Sequence, residues 1–241
     1  MALTIIHTAD LHNRLDRARA EALGFLRERT GALLLDSGDA IGAPNICVRP
    51  SEPVLELMNQ AGYAAMALGN REFFFRRSGL VHKTRGARFP VLCANLLPAR
   101  GELGHIARWT ILRAGEERVG VFGLAPTMMG PGSMAQRISD LRFIEWEAAA
   151  LEAVEALRGR VEWLVALSHR GMTDDLALAE LCPQIDAVLG GHDHKRVAMP
   201  LERSGILLSH PGSHGCCAAV LRLERDAEGR RHTDGRIVEL A

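Results

Sequence analysis

The sequence predicts an α/β domain with a parallel, doubly covered sheet and an antiparallel portion. Three observations carry this. Apolar runs of strand length alternate with segments of helical spacing through the first 70 residues. A hairpin pattern follows in the middle of the chain. The end breaks into short β segments separated by turn residues.

"LTIIHT" (3–8) is a buried-strand pattern. "RARAEALGFLRERTG" (17–31) puts Ala20, Leu23 and Leu26 at helical spacing and stops at Gly31. "ALLLDSGD" (32–39) is a second apolar strand ending in a turn. In "SEPVLELMNQAGYAAMALGN" (51–70), Ser51 reads as an N-cap, Pro53 as a first-turn residue and Gly62 as the terminator, with a strand near 64–68. "FPVLCANLL" reads as one further strand. "ARWTILRAGEERVGVFGLA" reads as a hairpin turning at Gly115, Glu116 and Glu117. The segment 126–140, rich in Pro, Gly and Met, reads as an irregular loop or lid. Residues 144–160 form a strong helical pattern, 161–169 a strand, 174–184 a helix and 185–194 a strand ending in a turn. Four short β segments complete the chain, and neither a repeat nor a linker interrupts it.

The 241 residues fit a single domain, 1–241, with 47% hydrophobic and 24% charged residues. Lys and Arg balance Asp and Glu at 29 each, so no net field draws the chain to nucleic acid or an anionic membrane. Aromatics at 5% argue against a base-stacking platform. The N-terminal apolar run is short and lacks a preceding basic region, so neither a signal peptide nor a membrane span is expected. The cysteines at 47, 93, 182, 216 and 217 are odd in number and lack CxxC spacing. They read as free thiols of a cytoplasmic protein.

The chemistry-bearing residues gather at the ends of predicted strands, where sites form in open α/β sheets. "HTADLHN" (7–13), "DSGD" (36–39), "GNREFF" (69–74), "LSHRG" (167–171) and "GGHDH" (190–194) supply Asp10, His12, Asp39, Asn70, His169, His192 and His194. Singly, an Asp before a turn is a turn residue bonding its own backbone. Seven ligand-type side chains at five successive strand ends exceed what turn chemistry requires. Histidine and carboxylate together suit zinc, manganese or iron, and a carboxylate with two oxygens can bridge two ions.

This order of motifs resembles the calcineurin-like metallophosphoesterases, and within them the 5′-nucleotidase branch, whose patterns read like "HTNDxHG", "DxGD", "GNHEFD", "LSHxG" and "GGHSH". "CANL" (93–96) and "GLAPT" (123–127) look like further strand-end segments of that family. The resemblance spans nearly the whole chain. It implies a four-layer α-β-β-α sandwich of two mixed sheets flanked by helices. It implies one divalent ion held by Asp10, His12 and His194, a second by Asn70, His169 and His192, and Asp39 bridging them. It implies a phosphoester hydrolase in which the ion pair lowers the pKa of a shared water to give the attacking hydroxide. Many 5′-nucleotidases of the branch carry a C-terminal nucleobase-binding domain that this chain is expected to lack, so nucleotide specificity does not carry over.

The chain departs from the family at the leaving-group position. The histidine of "GNHE" and the aspartate of "EFD" are here Arg71 and Phe74. Arginine stays protonated and cannot act as a general acid, but it binds phosphate oxygens with a charged fork. Arg71 therefore reads as a phosphate clamp, and the alternative is a residue pointing outward or pairing with Glu72. His214, in "SHPGSHG", is a candidate replacement acid; His210 is a weaker one. The expected substrates are small phosphomonoesters or phosphodiesters with leaving groups that need little protonation. The alternatives are a catalytically weak or inactive metal- and phosphate-binding member, and a nuclease of the same fold. The charge balance and scarce aromatics count against the nuclease.

Other residues have blander readings. His7 is a packing or supporting residue, and Asp36 holds its turn. Asp193 orients a neighbouring ligand or faces solvent, and Arg170 is an exposed charge. Arg76 and Arg77 start a helix at the surface. Met128, Met129 and Met134 line a lid or belong to an inert loop.

Overall fold

The computed structural model describes residues 2–45, 47–130 and 132–240. The strand–helix alternation begins as β1 (Ala2–Thr8), α1 (Arg17–Thr30), β2 (Leu33–Asp36), α2 (Pro53–Ala61), β3 (Ala65–Ala67) and α3 (Arg77–Thr84). Short strands follow: β4 (Val91–Leu92), β5 (Leu96–Pro98) and β6 (Ile106–Ala107), then the hairpin β7 (Trp109–Ala114) and β8 (Glu117–Leu124). Next come α4 (Met134–Ile138), β9 (Leu141–Phe143), α5 (Trp146–Leu157), β10 (Trp163–Ser168), α6 (Met172–Leu181) and β11 (Ala187–Gly190). The chain closes with β12 (Leu201–Arg203), β13 (Ile206–Ser209), β14 (Cys217–Arg225) and β15 (Arg231–Glu239).

Two mixed sheets result. The first runs β15-β14-β1-β2-β3-β4-β6 and the second β12-β13-β11-β10-β8-β7; β5 and β9 form a small separate pair. In the first, β1, β2, β3, β4 and β6 pair in parallel, while β14 runs antiparallel to β1 and β15 antiparallel to β14. In the second, β8, β10, β11 and β13 are parallel, with antiparallel edges β7 and β12.

The period of two along each strand builds the layers. Leu3, Ile5, Leu33 and Leu35 meet Val121, Val165, Leu167 and Leu189 between the sheets. Ile6 and Leu34 turn outward under α1 and α2, with Leu23, Leu55 and Met58. Leu164, Ala166 and Val188 turn outward under α5 and α6, with Ala153, Leu157 and Leu178. The order is therefore α-β-β-α. Gly123 lets the sheets close: a Cβ there would lie 2.1 Å from the carbonyl oxygen of Leu92.

The helix ends follow their residues. The Asp16 side chain accepts from Arg19 N at 2.9 Å, and Gly31 and Gly62 end α1 and α2 with φ of 65° and 79°. The N-cap of α2 is Glu52 rather than Ser51, so Pro53 is the first helical residue. The run 89–97 is two strands rather than one. Asn95 turns inward between them, accepting from Ala125 N at 3.0 Å and donating to its carbonyl at 2.8 Å. Residues 126–140 contain α4, capped by Ser133; Pro131 lies outside the described residues. Met129 is buried and Met128 packs against the same core, so these two are packing residues rather than lid residues, whereas Met134 is exposed.

Candidate functional site

The loops after the parallel strands are stitched together by backbone bonds. Asp10 N donates to Gly38 O, His12 N to Asp39 O and Asn13 N to Ala40 O, at 3.0, 2.9 and 2.8 Å. His214 N donates to Asp10 O at 2.7 Å, which brings the connection before β14 to the same place. His192 N donates to Asp10 Oδ2 at 2.9 Å, tying the second sheet to the first.

Left-handed backbone concentrates here. Asp10, His12, Asp39, His192, His194 and His214 have φ of 52°, 46°, 56°, 80°, 54° and 62°. Such conformations are costly without glycine and persist where surroundings impose them. They turn the side chains into one space. His12 Nε2 lies 2.9 Å from His194 Nε2, and both face Asp10 Oδ1, at 3.7 and 3.4 Å. His169 Nε2 is 3.8 Å from Asp10 Oδ1 and 3.4 Å from Asp39 Oδ1. His192 Nδ1 faces Asn70 Oδ1 at 3.1 Å. All seven candidate ligands thus converge, and His214 joins them: a ring nitrogen each of His12, His194 and His214 lies within 4.8 Å of the others.

The donor set fits a cation. Asp10 Oδ1 and His169 Nε2 are buried without a hydrogen-bond partner, an arrangement that is costly unless something electron-poor sits between them. His169 Nδ1 donates to Ser37 O at 2.8 Å, because a carbonyl only accepts, and this turns Nε2 toward the carboxylates. Burial opposes charge on His169, but the hydrogen bond and charge of Asp39, with Asp10, outweigh it and raise the pKa to about 9. A cation would take the place of that proton. His12 goes the other way: burial, joined by the field of Arg71, lowers it to about 4 despite Asp39.

Arg71 lies on the wall of the cavity, which has a volume of about 460 Å³. Its backbone N donates to Asp39 Oδ1 at 2.7 Å, and its Nη1 to Gly42 O at 3.3 Å. The guanidinium does not pair with Glu72. That carboxylate is buried and accepts from the backbone N of Asp39, Ile41 and Gly69. Phe74 stacks on Phe75 at 4.8 Å and packs over Gly79, so position 74 gives Arg71 no partner. Arg14 also lines the cavity. It was missed in the sequence because a residue that cannot hold a metal draws no attention beside Asp10 and His12.

A profile of the calcineurin-like phosphoesterases matches residues 3–196. The chain belongs to that family. The chain is 31% identical over 219 residues to a snake venom 5′-nucleotidase of Gloydius brevicauda, covering 79% of this chain and 36% of that protein. It is 31% identical over 221 residues to the 5′-nucleotidase of Rattus norvegicus, covering 79% and 37%. The chain thus spans less than half the length of these relatives. A solved structure of a 5′-nucleotidase precursor from Thermus thermophilus superposes with a TM-score of 0.81 at 26% identity, over 100% of this chain and 55% of that one. The calcineurin-like phosphoesterase YfkN from Bacillus subtilis shares the fold, with a TM-score of 0.76 at 21% identity, over 99% and 91%.

Beneath the cavity lie supporting residues. His7 bridges the sheets, its Nε2 2.7 Å from Ser37 Oγ and its Nδ1 3.0 Å from Ser209 Oγ; burial pushes its pKa well down. Asp36 holds its turn through Gly38 N at 2.8 Å and Thr8 Oγ1 at 2.7 Å. Asp193 is tied away from the ligands, accepting from Met172 N and pairing with Lys195. His210 is buried against Asp175 at 2.8 Å, outside the cavity. Arg170 is not an exposed charge: its side chain is 12% exposed, bonds Ala125 O, pairs with Asp174 and lies over Trp146. His214 stands in the cavity, its Nδ1 2.7 Å from Ser213 Oγ; burial, His194 and Arg14 lower its pKa.

Proposed function

We propose that the chain, 1–241, forms one hydrolase unit for small phosphoesters, working with two divalent ions of manganese, zinc or iron. Asp10, His12 and His194 would hold one ion, Asn70, His169 and His192 the other, and Asp39 both. The observation that carries this reading is the cluster of buried, unpartnered donors, Asp10 Oδ1 and His169 Nε2, with histidine nitrogens turned toward them. Bound ions of this kind supply an activated water and neutralise developing charge.

The chain's own residues do the rest. Arg71 is anchored through one Nη, leaving its other N–H groups to face the cavity and fork onto phosphoryl oxygens. His214 is the titratable group placed to hold a proton near a leaving oxygen, since neither Arg71 nor Phe74 can. Leaving groups that need little protonation, such as aryl esters and diesters of acidic alcohols, are the favoured substrates. No Phe, Tyr or Trp lines the cavity among the described residues, which counts against stacking of nucleic acid bases. Among the described residues no helix is long and apolar enough to cross a membrane. The five cysteines, all unpaired, support a cytoplasmic setting.

The test is turnover of p-nitrophenyl phosphate beside bis-p-nitrophenyl phosphate after loading with manganese, zinc or iron. Turnover above an Asp39→Asn blank is expected. Arg71→Ala should cost about 1.5–3 kcal/mol of phosphate interaction, or about ten- to a hundredfold in kcat/KM. Arg71→His should raise hydrolysis of alkyl monoesters. A second reading, a metal- and phosphate-binding module without turnover, is favoured by Phe74, which stacks on Phe75 and offers no polar group at the leaving-group position. Phosphate binding with no turnover under any of the ions would establish it.

A further inference from the structure

We infer that a second anion station stands beside the metal centre, built by Arg14 in the cavity and by Arg49 at Gly42 on its edge, next to Arg71, and that it selects phosphoesters carrying a second phosphate group. The inference rests on the proposed hydrolase reading for its scissile phosphate, and extends it to the rest of the substrate.

Three connections deliver these arginines. Arg14 comes from the loop after β1, Arg49 from the loop before α2, and Arg71 from the loop after β3. Arg14 and Arg71 line the cavity. Arg49 and Arg71 converge on Gly42. Arg71 Nη1 donates to its carbonyl at 3.3 Å, and a Cβ on Gly42 would lie 2.7 Å from Arg49 Nη1. Asn13, one residue before Arg14, closes the other side, 3.0 Å from the same position. The absence of a side chain at position 42 is what lets the guanidiniums approach.

Elsewhere on the surface, guanidiniums meet carboxylates, as in Arg17–Glu21, Arg118–Glu162 and Arg230–Asp226. None of Arg14, Arg49 and Arg71 has such a partner among the described residues. Arg49 lines the neighbouring pocket together with Glu52, whose carboxylate accepts from Gly42 N at 3.1 Å, and Asp39 lines the cavity; the three guanidiniums stand near these carboxylates without a direct ion pair to any of them.

One phosphoryl group held against the metal ligands occupies Arg71, which lies beside Asn70. Arg14 and Arg49 then have nothing left to bind on a simple monoester. A second phosphate uses them through the charged, forked bonds for which guanidinium is suited. The cavity, about 460 Å³, lies within the range that accommodates a small molecule with two phosphates.

The experiment is calorimetric binding of two non-hydrolysable probes, propane-1,3-diphosphonate and propylphosphonate, to the manganese-loaded protein. The diphosphonate should bind at least about tenfold more tightly. Arg14→Gln and Arg49→Gln should each reduce that ratio about threefold, and the double variant should bring it near one. Arg14→Lys should keep part of it, and the ratio should shrink as salt rises. Equal binding of the two probes by the wild type, or a ratio that survives the double variant, overturns the inference. Turnover of p-nitrophenyl phosphate is scored on the same samples. Turnover without a diphosphonate preference removes this inference and leaves the hydrolase reading. A preference without turnover removes the hydrolase reading and leaves the anion station.

Discussion

The Glu72 carboxylate accepts from the backbone N of Asp39, Ile41 and Gly69 at 3.0, 3.1 and 2.9 Å. It thereby fixes the chain on both sides of Asp39 and just before Asn70. Burial, and then the charge of Asp39, raise its pKa, while the backbone N–H groups favour the charged form. Glu72→Gln replaces one acceptor oxygen by a donor and leaves at least one buried N–H unpaired, at a cost of about 1–3 kcal/mol. In a chain of this length that lowers Tm by roughly 2–4 °C per kcal/mol. A melting curve checks it, and an unchanged Tm would show that the bonds carry no stability. Metal affinity should fall with it. The sequence shows Glu72 plainly, yet the one role it suggests there is the alternative of pairing with Arg71. Its true partners are backbone groups, which every residue has and no motif marks. The metal-ligand candidates are legible for the opposite reason, because their chemistry resides in the side chains themselves.

At the scale of elements, strand ends are as close as glycine permits. A Cβ on Gly190, at the end of β11, would lie 2.1 Å from His210 Nε2 and 2.2 Å from Asp175 Oδ2. This buried pair sits under the turn that carries His192 and His194, and His210 Nδ1 lies 3.4 Å from Asp193. Gly190→Ala must displace the pair or the turn, an overpacking that costs about 1–3 kcal/mol. We expect a lower Tm together with weaker manganese binding by calorimetry. Wild-type metal affinity in that variant would show that the pair does not support the turn. The strand–helix order was legible because hydrophobic period and terminating glycines such as Gly31 and Gly62 are local signals. The break between β4 and β5 was not. It depends on Asn95 bonding both backbone groups of Ala125, thirty residues away, and such a partner leaves no local trace. Arg170 was misjudged for the same reason, since Trp146 and Ala125 are distant in sequence.

For the whole molecule, the decisive feature is that the site spans both sheets. Periodicity suggested one parallel sheet, because strand pairing across a fold is non-local, and only the motif order pointed to two. Asp10, Asp39 and Asn70 follow strands of the first sheet, His169 and His192 those of the second, and His7 bridges the two through Ser37 and Ser209. A cation bound by both sets ties the sheets together and binds the folded state only. At a free concentration a hundred times Kd this adds about 2.7 kcal/mol. That corresponds to a rise in Tm of roughly 5–11 °C at about 2–4 °C per kcal/mol. Treatment with a chelator should reverse the rise, and Asp39→Asn should cut it by half or more. An equal rise in Asp39→Asn would mean that the ion binds elsewhere. A rise that appears at one sheet's hydrogen-exchange protection and not the other's would mean that the donors do not act across the interface. Loss of protection in β1 and β10 together on chelation is the expected result, because both strands end in the loops that a bound cation would join.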